Sequence, residues 1–178
     1  LSRGLTISGS DVEETKITKA ERAMGVTVYL EHDAAHLGDA QLVVYSAAIH
    51  DENPELKAAR ARGIPAVERS VMLGYVSRMY SHSVCVSGTH GKTTTTTLIA
   101  KMFEAAGRKV FLGGNIGAAL LPQLPDVTPA DIAVVELSSF QLISMRKSPK
   151  VAVVTNVTPN HLDHHKDMQE YIDAKRNI

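Results

Sequence analysis

The chain has 178 residues, room for one large domain or two small ones. Hydrophobic residues make up 44%, enough for a real core, and 19 basic residues balance 19 acidic ones, which argues against binding nucleic acid or a membrane surface through bulk charge. One cysteine excludes an internal disulfide and a cysteine-rich zinc site, and no apolar run reaches the roughly 20 residues of a membrane helix.

Short β-rich runs alternate with helical patterns, which predicts βαβ units and a mainly parallel sheet. Residues 5–7 read as a weak strand running into Ser8-Gly9-Ser10-Asp11. A helix over 15–24 is stopped by Gly25, and 26–30 and 41–46 read as strands. Asn53-Pro54-Glu55 opens a helix, with Asn as N-cap and Pro in the first turn. That helix ends at Gly63, 64–67 is a strand, and 70–80 is an amphipathic helix. A boundary is expected near Ser81-His82. The second unit then has strands at 84–86, 109–112, 132–135 and 151–155, and helices at 98–106 and 168–178, with a loop over 122–129. The last two strands are continuous apolar runs, as expected of strands covered on both faces. No charged-then-apolar leader precedes Gly4, so a cytoplasmic enzyme is the expected class. The chain opens on Leu1 and stops within a helical pattern, and so reads as a fragment.

The strongest chemical signal is Gly88-Thr89-His90-Gly91-Lys92-Thr93, after a strand and before a helix, the setting a phosphate-binding loop requires. Glycines let backbone N–H groups approach phosphates, and the helix N-terminus adds positive potential. Lys92 would reach the outer phosphates and the Thr93 hydroxyl would bind Mg2+. The general pattern has Gly six residues before the Lys, where this chain has Val86; a glycine turn with a solvated lysine is the alternative. The run from Thr94 to Thr97 is poor helix material, so its hydroxyls either serve the site or bond back to the helix.

Glu136 follows the strand at 132–135, where α/β proteins place ligand chemistry. Its natural partner beside a phosphate loop is Mg2+, and a water-facing strand end is the alternative. The third cluster is Asn156-Val157-Thr158-Pro159-Asn160-His161-Leu162-Asp163-His164-His165. Its spacing is not that of a zinc protease helix, and His164 and His165 read as a polar loop. Cys85 reads as a small core residue. The chain has no Trp, which leaves base stacking on nucleic acid unsupported.

Together the three clusters resemble the Mur ligase family, the ATP-dependent muramyl ligases of peptidoglycan synthesis, whose short G-T-x-G-K-T loop lacks the distal glycine. Residues 4–107 resemble the L-alanine-adding branch, through Ser8-Gly9-Ser10-Asp11, Ser46-Ala47-Ala48-Ile49, Asn53-Pro54-Glu55 and the phosphate loop. Residues 109–178 resemble the D-glutamate-adding branch, through Gly114-Asn115-Ile116-Gly117, Glu136-Leu137-Ser138-Ser139-Phe140-Gln141, the Asn156 cluster and Tyr171-Ile172-Asp173-Ala174-Lys175. The resemblance implies an α/β fold, with a Rossmann-like N-terminal unit over 1–81 and a P-loop mononucleotide-binding parallel-sheet domain over 82–178, both incomplete.

By position, the resemblance gives ATP to Gly88, Thr89, His90, Gly91, Lys92, Thr93 and Thr94. It gives a first Mg2+ to Thr93 and Glu136, and a second to His161 and a carbamylated Lys175. Lys92, His161 and Lys175 would be catalytic. Asn115 and Ser138 would meet substrate, and Asp11 and Ser46 would handle the uridine and diphosphate of a UDP-MurNAc-type nucleotide. The implied reaction adds D-glutamate to UDP-MurNAc-L-alanine through an acyl phosphate, with ATP and Mg2+ as cofactors and no nucleic-acid or membrane partner. L-alanine addition to UDP-MurNAc is the alternative, and a nucleotide-binding module without ligase activity is a third reading. The family's first βα unit, the end of its ATP domain and its C-terminal domain have no counterpart in these residues.

Overall fold

A computed structural model of the chain describes residues 4–117, 119–145, 149–159 and 166–178. Two compact units divide between Val67 and Glu68. The helix at 69–79 falls on the second side of that division, whereas the sequence reading groups it with the first.

In the first unit, β1 (Ser8–Ser10) pairs in parallel with β2 (Thr27–Tyr29), with Gly9 opposite Val28. The strand lies three residues later than expected, on the Ser-Gly-Ser run itself. Helix α1 (Lys16–Ala23) makes the crossover. It starts where it does because Thr15 and Thr18 form a reciprocal capping box, each side chain accepting the other's backbone N–H, at 3.2 and 2.8 Å. A 3-10 turn over Ala34–Leu37 follows, then β3 (Val43–Tyr45), helix α2 (Pro54–Ala61) and β4 (Ala66–Glu68), which pairs with β3. Asn53 caps α2 as expected, accepting the N–H groups of Glu55 and Leu56. Leu37, Leu56 and Ala59 are the buried apolar residues here, a thin core under two separate two-stranded sheets.

The second unit opens with α3 (Arg69–Met79) and β5 (His82–Ser87). It continues with α4 (Lys92–Ala105), β6 (Val110–Gly114), β7 (Ile132–Glu136), α5 (Ser139–Ser144), β8 (Val151–Val154) and α6 (Met168–Arg176). The sheet order is β6-β7-β5-β8, and every pairing is parallel. Strand β7 is buried throughout and divides its side chains by the two-residue period of a strand. Ala133 and Val135 join Val76, Tyr80, Cys85, Phe111 and Leu142 in one core. Ile132 and Val134 join Ala100 in another, against Ile99 and Phe103. Burial pushes the Cys85 thiol up to about 12, consistent with its reading as a core residue.

Four expectations change. Helix α4 starts at Lys92, not near residue 98, so the threonine run forms its first turns; Thr96 bonds back to the Lys92 carbonyl at 2.7 Å. Strand β8 is not covered on both faces: Val151 is 51% and Val154 44% exposed. Among the described residues β8 pairs with β5 alone and forms the sheet edge. Helix α5 was not expected, and the 122–129 loop contains a 3-10 turn over Leu121–Asp126.

Leu137, fully buried in the larger core at the end of β7, tests this packing. Leu137→Ala should cost about 2–5 kcal/mol of folding stability, read as a lower urea midpoint with an unchanged denaturant slope.

Candidate functional site

The sheet order puts the C-terminal ends of β5, β7 and β8 side by side, and the loops leaving them build one polar cluster. After β5 the chain turns through Gly88, with φ of 143°, and Gly91, with φ of 78°, before entering α4. Gly88 has no room for a side chain: a Cβ there would lie 1.9 Å from Thr155 Oγ1. Gly91 is the residue before the helix, so the N–H groups of the first turn lie just past the loop, without intrahelical partners. Lys92 folds back over this turn, its Nζ donating to the carbonyls of Gly88 at 3.1 Å and Thr89 at 2.9 Å.

Glu136, at the end of β7, is 2% exposed. Its carboxylate accepts from the Thr93 hydroxyl at 2.7 Å and from the Asn115 amide at 3.1 Å. Asn115 is held by its own N–H, which bonds the Glu136 carbonyl at 2.9 Å. The preceding Gly114 has φ of 98°, and a Cβ there would lie 2.1 Å from that same carbonyl oxygen. Three residues separated in sequence thus meet here: Thr93 and Glu136, which the sequence reading assigned to one Mg2+, and Asn115, which it assigned to substrate. Hydroxyl and carboxylate oxygens of this kind are the hard donors that suit Mg2+. The Ser138 hydroxyl is engaged locally, forming with Gln141 the capping box that starts α5. Thr94 is exposed on the first turn of α4.

The end of β8 grips the loop from the other side. Thr89 N–H bonds the Asn156 carbonyl at 2.9 Å, and the Asn156 side chain contacts both backbone groups of His90. Thr89, 5% exposed, turns its hydroxyl inward, donating to the Thr158 carbonyl, accepting the Thr158 N–H and meeting the Tyr171 hydroxyl at 2.9 Å. Its side chain is therefore scaffold, whatever its backbone binds. The roles of Thr155, Thr158 and Tyr171 left no distinct sequence signal.

Lys175 is 4% exposed. Its Nζ donates to the Gly88 carbonyl at 2.9 Å and lies 4.5 Å from the Tyr171 ring centroid. It therefore points inward to the glycine turn, onto the same carbonyl as Lys92. Burial first, and the Lys92 charge second, lower its pKa from 10.5 to about 8. His161 lies outside the described residues, as do Asn160, Leu162, Asp163, His164 and His165. Among the described residues no group of three or more His, Cys, Asp or Glu is arranged to hold a metal ion.

In the first unit, Asp11 and Ser46 line one cleft of about 890 Å³. Its polar centre is Glu55, which sequence reasoning read only as part of a helix start. Glu55 accepts from the Ser10 hydroxyl at 2.7 Å, and its carboxylate faces His32 Nδ1 at 3.6 Å and His36 Nδ1 at 3.4 Å. His36 stacks on Tyr29 with ring centroids 3.7 Å apart. The four-residue spacing of His32 and His36 was the available sequence signal.

Comparison with known proteins matches two family models. Residues 86–178, more than half of the chain, match the Mur ligase middle domain, and residues 1–81 match the model described as Mur ligase family, catalytic domain. The UDP-N-acetylmuramate–L-alanine ligase of Desulfatibacillum aliphaticivorans is 38% identical over 98% of the chain. The UDP-N-acetylmuramoylalanine–D-glutamate ligase of Clostridium kluyveri is 44% identical over 80% of it. The solved UDP-N-acetylmuramate-alanine ligase of Thermotoga maritima superposes with a TM-score of 0.70 at 26% identity, covering 97% of this chain and 41% of its own. The chain spans 38% and 31% of the lengths of those two sequence relatives.

The depressed pKa of Lys175 has a signed consequence. Below pH 8 the folded and unfolded states both carry the ammonium, and the penalty of burying it is fully present. Between about 8 and 10.5 the folded state loses the proton first, so this residue's contribution to stability rises with pH. Urea midpoints measured from pH 7.5 to 10 should rise more in the wild type than in Lys175→Met.

Proposed function

This chain belongs to the Mur ligase family, and we propose from that premise that the protein forms an amide bond at the expense of ATP in peptidoglycan precursor synthesis. The observation that carries the reading is the convergence of Lys92, the Thr93–Glu136 pair and Lys175 on the strand ends around one glycine turn. The ATP triphosphate lies against the first turn of α4, where backbone N–H groups and the helix dipole favour anions. Lys92 exchanges its loop carbonyls for the outer phosphates. Thr93 and Glu136 hold Mg2+, with Asn115 orienting the carboxylate. When bound, the ion neutralises charge on the phosphoryl group being transferred.

A carboxylate of the UDP-MurNAc-type substrate attacks the γ-phosphorus, forming an acyl phosphate as the bond to ADP breaks. The amine of an amino acid then displaces inorganic phosphate and forms the amide. Lys92 stabilises the charge that builds on the transferring group, and the loop holds the reactants in line. Lys175, carrying CO2 as a carbamate, supplies oxygen ligands for a second Mg2+ together with His161. Its lowered pKa supports that reading, because the neutral amine is the form that adds CO2. Asp11 and Ser46 receive the uridine diphosphate in the cleft of the first unit.

The amino acid is D-glutamate in the first reading, supported by the higher identity to the Clostridium kluyveri enzyme and by the motifs around Glu136. L-alanine is the second reading, favoured by the match over 98% of the chain to the L-alanine ligase. Phosphate release by the full-length protein, offered UDP-MurNAc with L-alanine against UDP-MurNAc-L-alanine with D-glutamate, separates them. Release with neither pair overturns both.

Two outcomes are expected in that assay. Lys92→Ala should lower turnover by about 10²–10³-fold or more while leaving the fold intact, as judged by circular dichroism. Lys175→Ala should be nearly inactive and partly restored by acetate, while wild-type activity should depend on bicarbonate.

A further inference from the structure

We propose that Asn156 is a positioning residue for the phosphate loop, its carboxamide holding His90 by both backbone groups and fixing the loop in the shape that receives phosphate. The proposal rests on the reading of that loop as a nucleotide site. Asn156 Oδ1 accepts the His90 N–H at 3.0 Å, and Asn156 Nδ2 donates to the His90 carbonyl at 3.0 Å. The backbone of the same residue accepts the Thr89 N–H at 2.9 Å. One residue therefore satisfies three polar groups of two successive loop residues, the Thr89 N–H and both backbone groups of His90.

The need for such a clamp follows from the glycines. Gly88 and Gly91 flank the pair Thr89-His90 with positive φ, and glycine reaches many backbone shapes at little cost. Neither the β5 ladder nor the α4 helix holds His90, which is exposed. Its carbonyl takes a second donor, Thr155 Oγ1 at 2.7 Å, which fills both lone pairs.

Asparagine alone suits the position. Aspartate keeps the acceptor but sets a carboxylate oxygen against the His90 carbonyl. Glutamine is one methylene too long to meet both groups from the same Cα. Serine offers one atom where two are used. A loop held in its binding shape beforehand loses less freedom when phosphate arrives, so the clamp acts on nucleotide affinity without touching nucleotide. It also ties the segment leading to His161 to the loop carrying Lys92.

The test uses the full-length protein, labelled with 15N, in wild-type, Asn156→Ala, Asn156→Asp and Thr155→Val forms. Amide exchange reads the clamp directly. In Asn156→Ala the His90 N–H should exchange about tenfold faster or more, given two lost hydrogen bonds. The Thr89 N–H, bonded to the backbone of residue 156, should change little. Asn156→Asp retains the acceptor and should keep His90 exchange near the wild-type rate; if the alanine variant does not fold, unchanged ADP affinity in Asn156→Asp overturns the proposal.

Calorimetric titration with ADP, without added metal, reads the consequence. Both Asn156 variants should bind about tenfold more weakly. Thr155→Val should show a smaller loss, non-additive with Asn156→Ala because both act through His90. Unchanged His90 exchange or unchanged ADP affinity in Asn156→Ala overturns the proposal. Failure of the wild type to bind ADP overturns the nucleotide reading instead, while the exchange data still judge the clamp.

Discussion

The parallel pairing of β5 with β7 sets Val86 opposite Glu136, and the second unit depends on that register. A slip of one residue along β7 would exchange its two faces, sending Ala133 and Val135 into the core under α4 and Ile132 and Val134 into the other. It would also turn the Glu136 carboxylate away from Thr93. Because β7 is buried along its whole length, no residue on it is free to tolerate the exchange. The burial of Glu136 is made tolerable by two neutral donors, the Thr93 hydroxyl and the Asn115 amide. Packing thus fixes where the carboxylate stands, and hydrogen bonding makes that place habitable.

The same division of labour appears on a smaller scale in the first unit. There β1 and β2 are too short to make a substantial core, yet their ends position Ser10 and Tyr29 beside Glu55 and His36. In both units a largely enclosed carboxylate, Glu55 in the first and Glu136 in the second, accepts from a hydroxyl, that of Ser10 at a strand end or that of Thr93 in the first turn of α4. In α/β architecture, helices and strands supply rigidity while the strand ends carry chemistry.

Much of this was legible in the sequence, and the reasons differ by element. Helix α2 announced itself through Asn53-Pro54 and α1 through the Gly25 that stops it, because helix ends are local and depend on a few adjacent residues. The turn after β5 was readable because its glycines answer a backbone demand that few other residues meet. The start of α4 was not, since threonine has a weak helix preference that packing on β5, β6 and β7 overrides. Strand β8 misled for the opposite reason: an apolar run reports composition, whereas burial depends on which neighbours lie on either side. Helix α5 is six residues long, below what periodicity can detect. The grip of Asn156 on His90 spans 66 positions, and no local pattern encodes such a contact.

The shared carbonyl of Gly88 has an energetic corollary. Lys92 and Lys175 both donate to this one oxygen, so two cations are gathered on a single neutral acceptor. Their repulsion is a standing strain of the fold, only partly relieved by the Tyr171 ring beneath one of them. A polyanion arriving at the start of α4 would dissolve that strain as well as make its own contacts. Part of its affinity would therefore come from repulsion relieved inside the protein, and because Lys175 is buried that part would respond little to added salt.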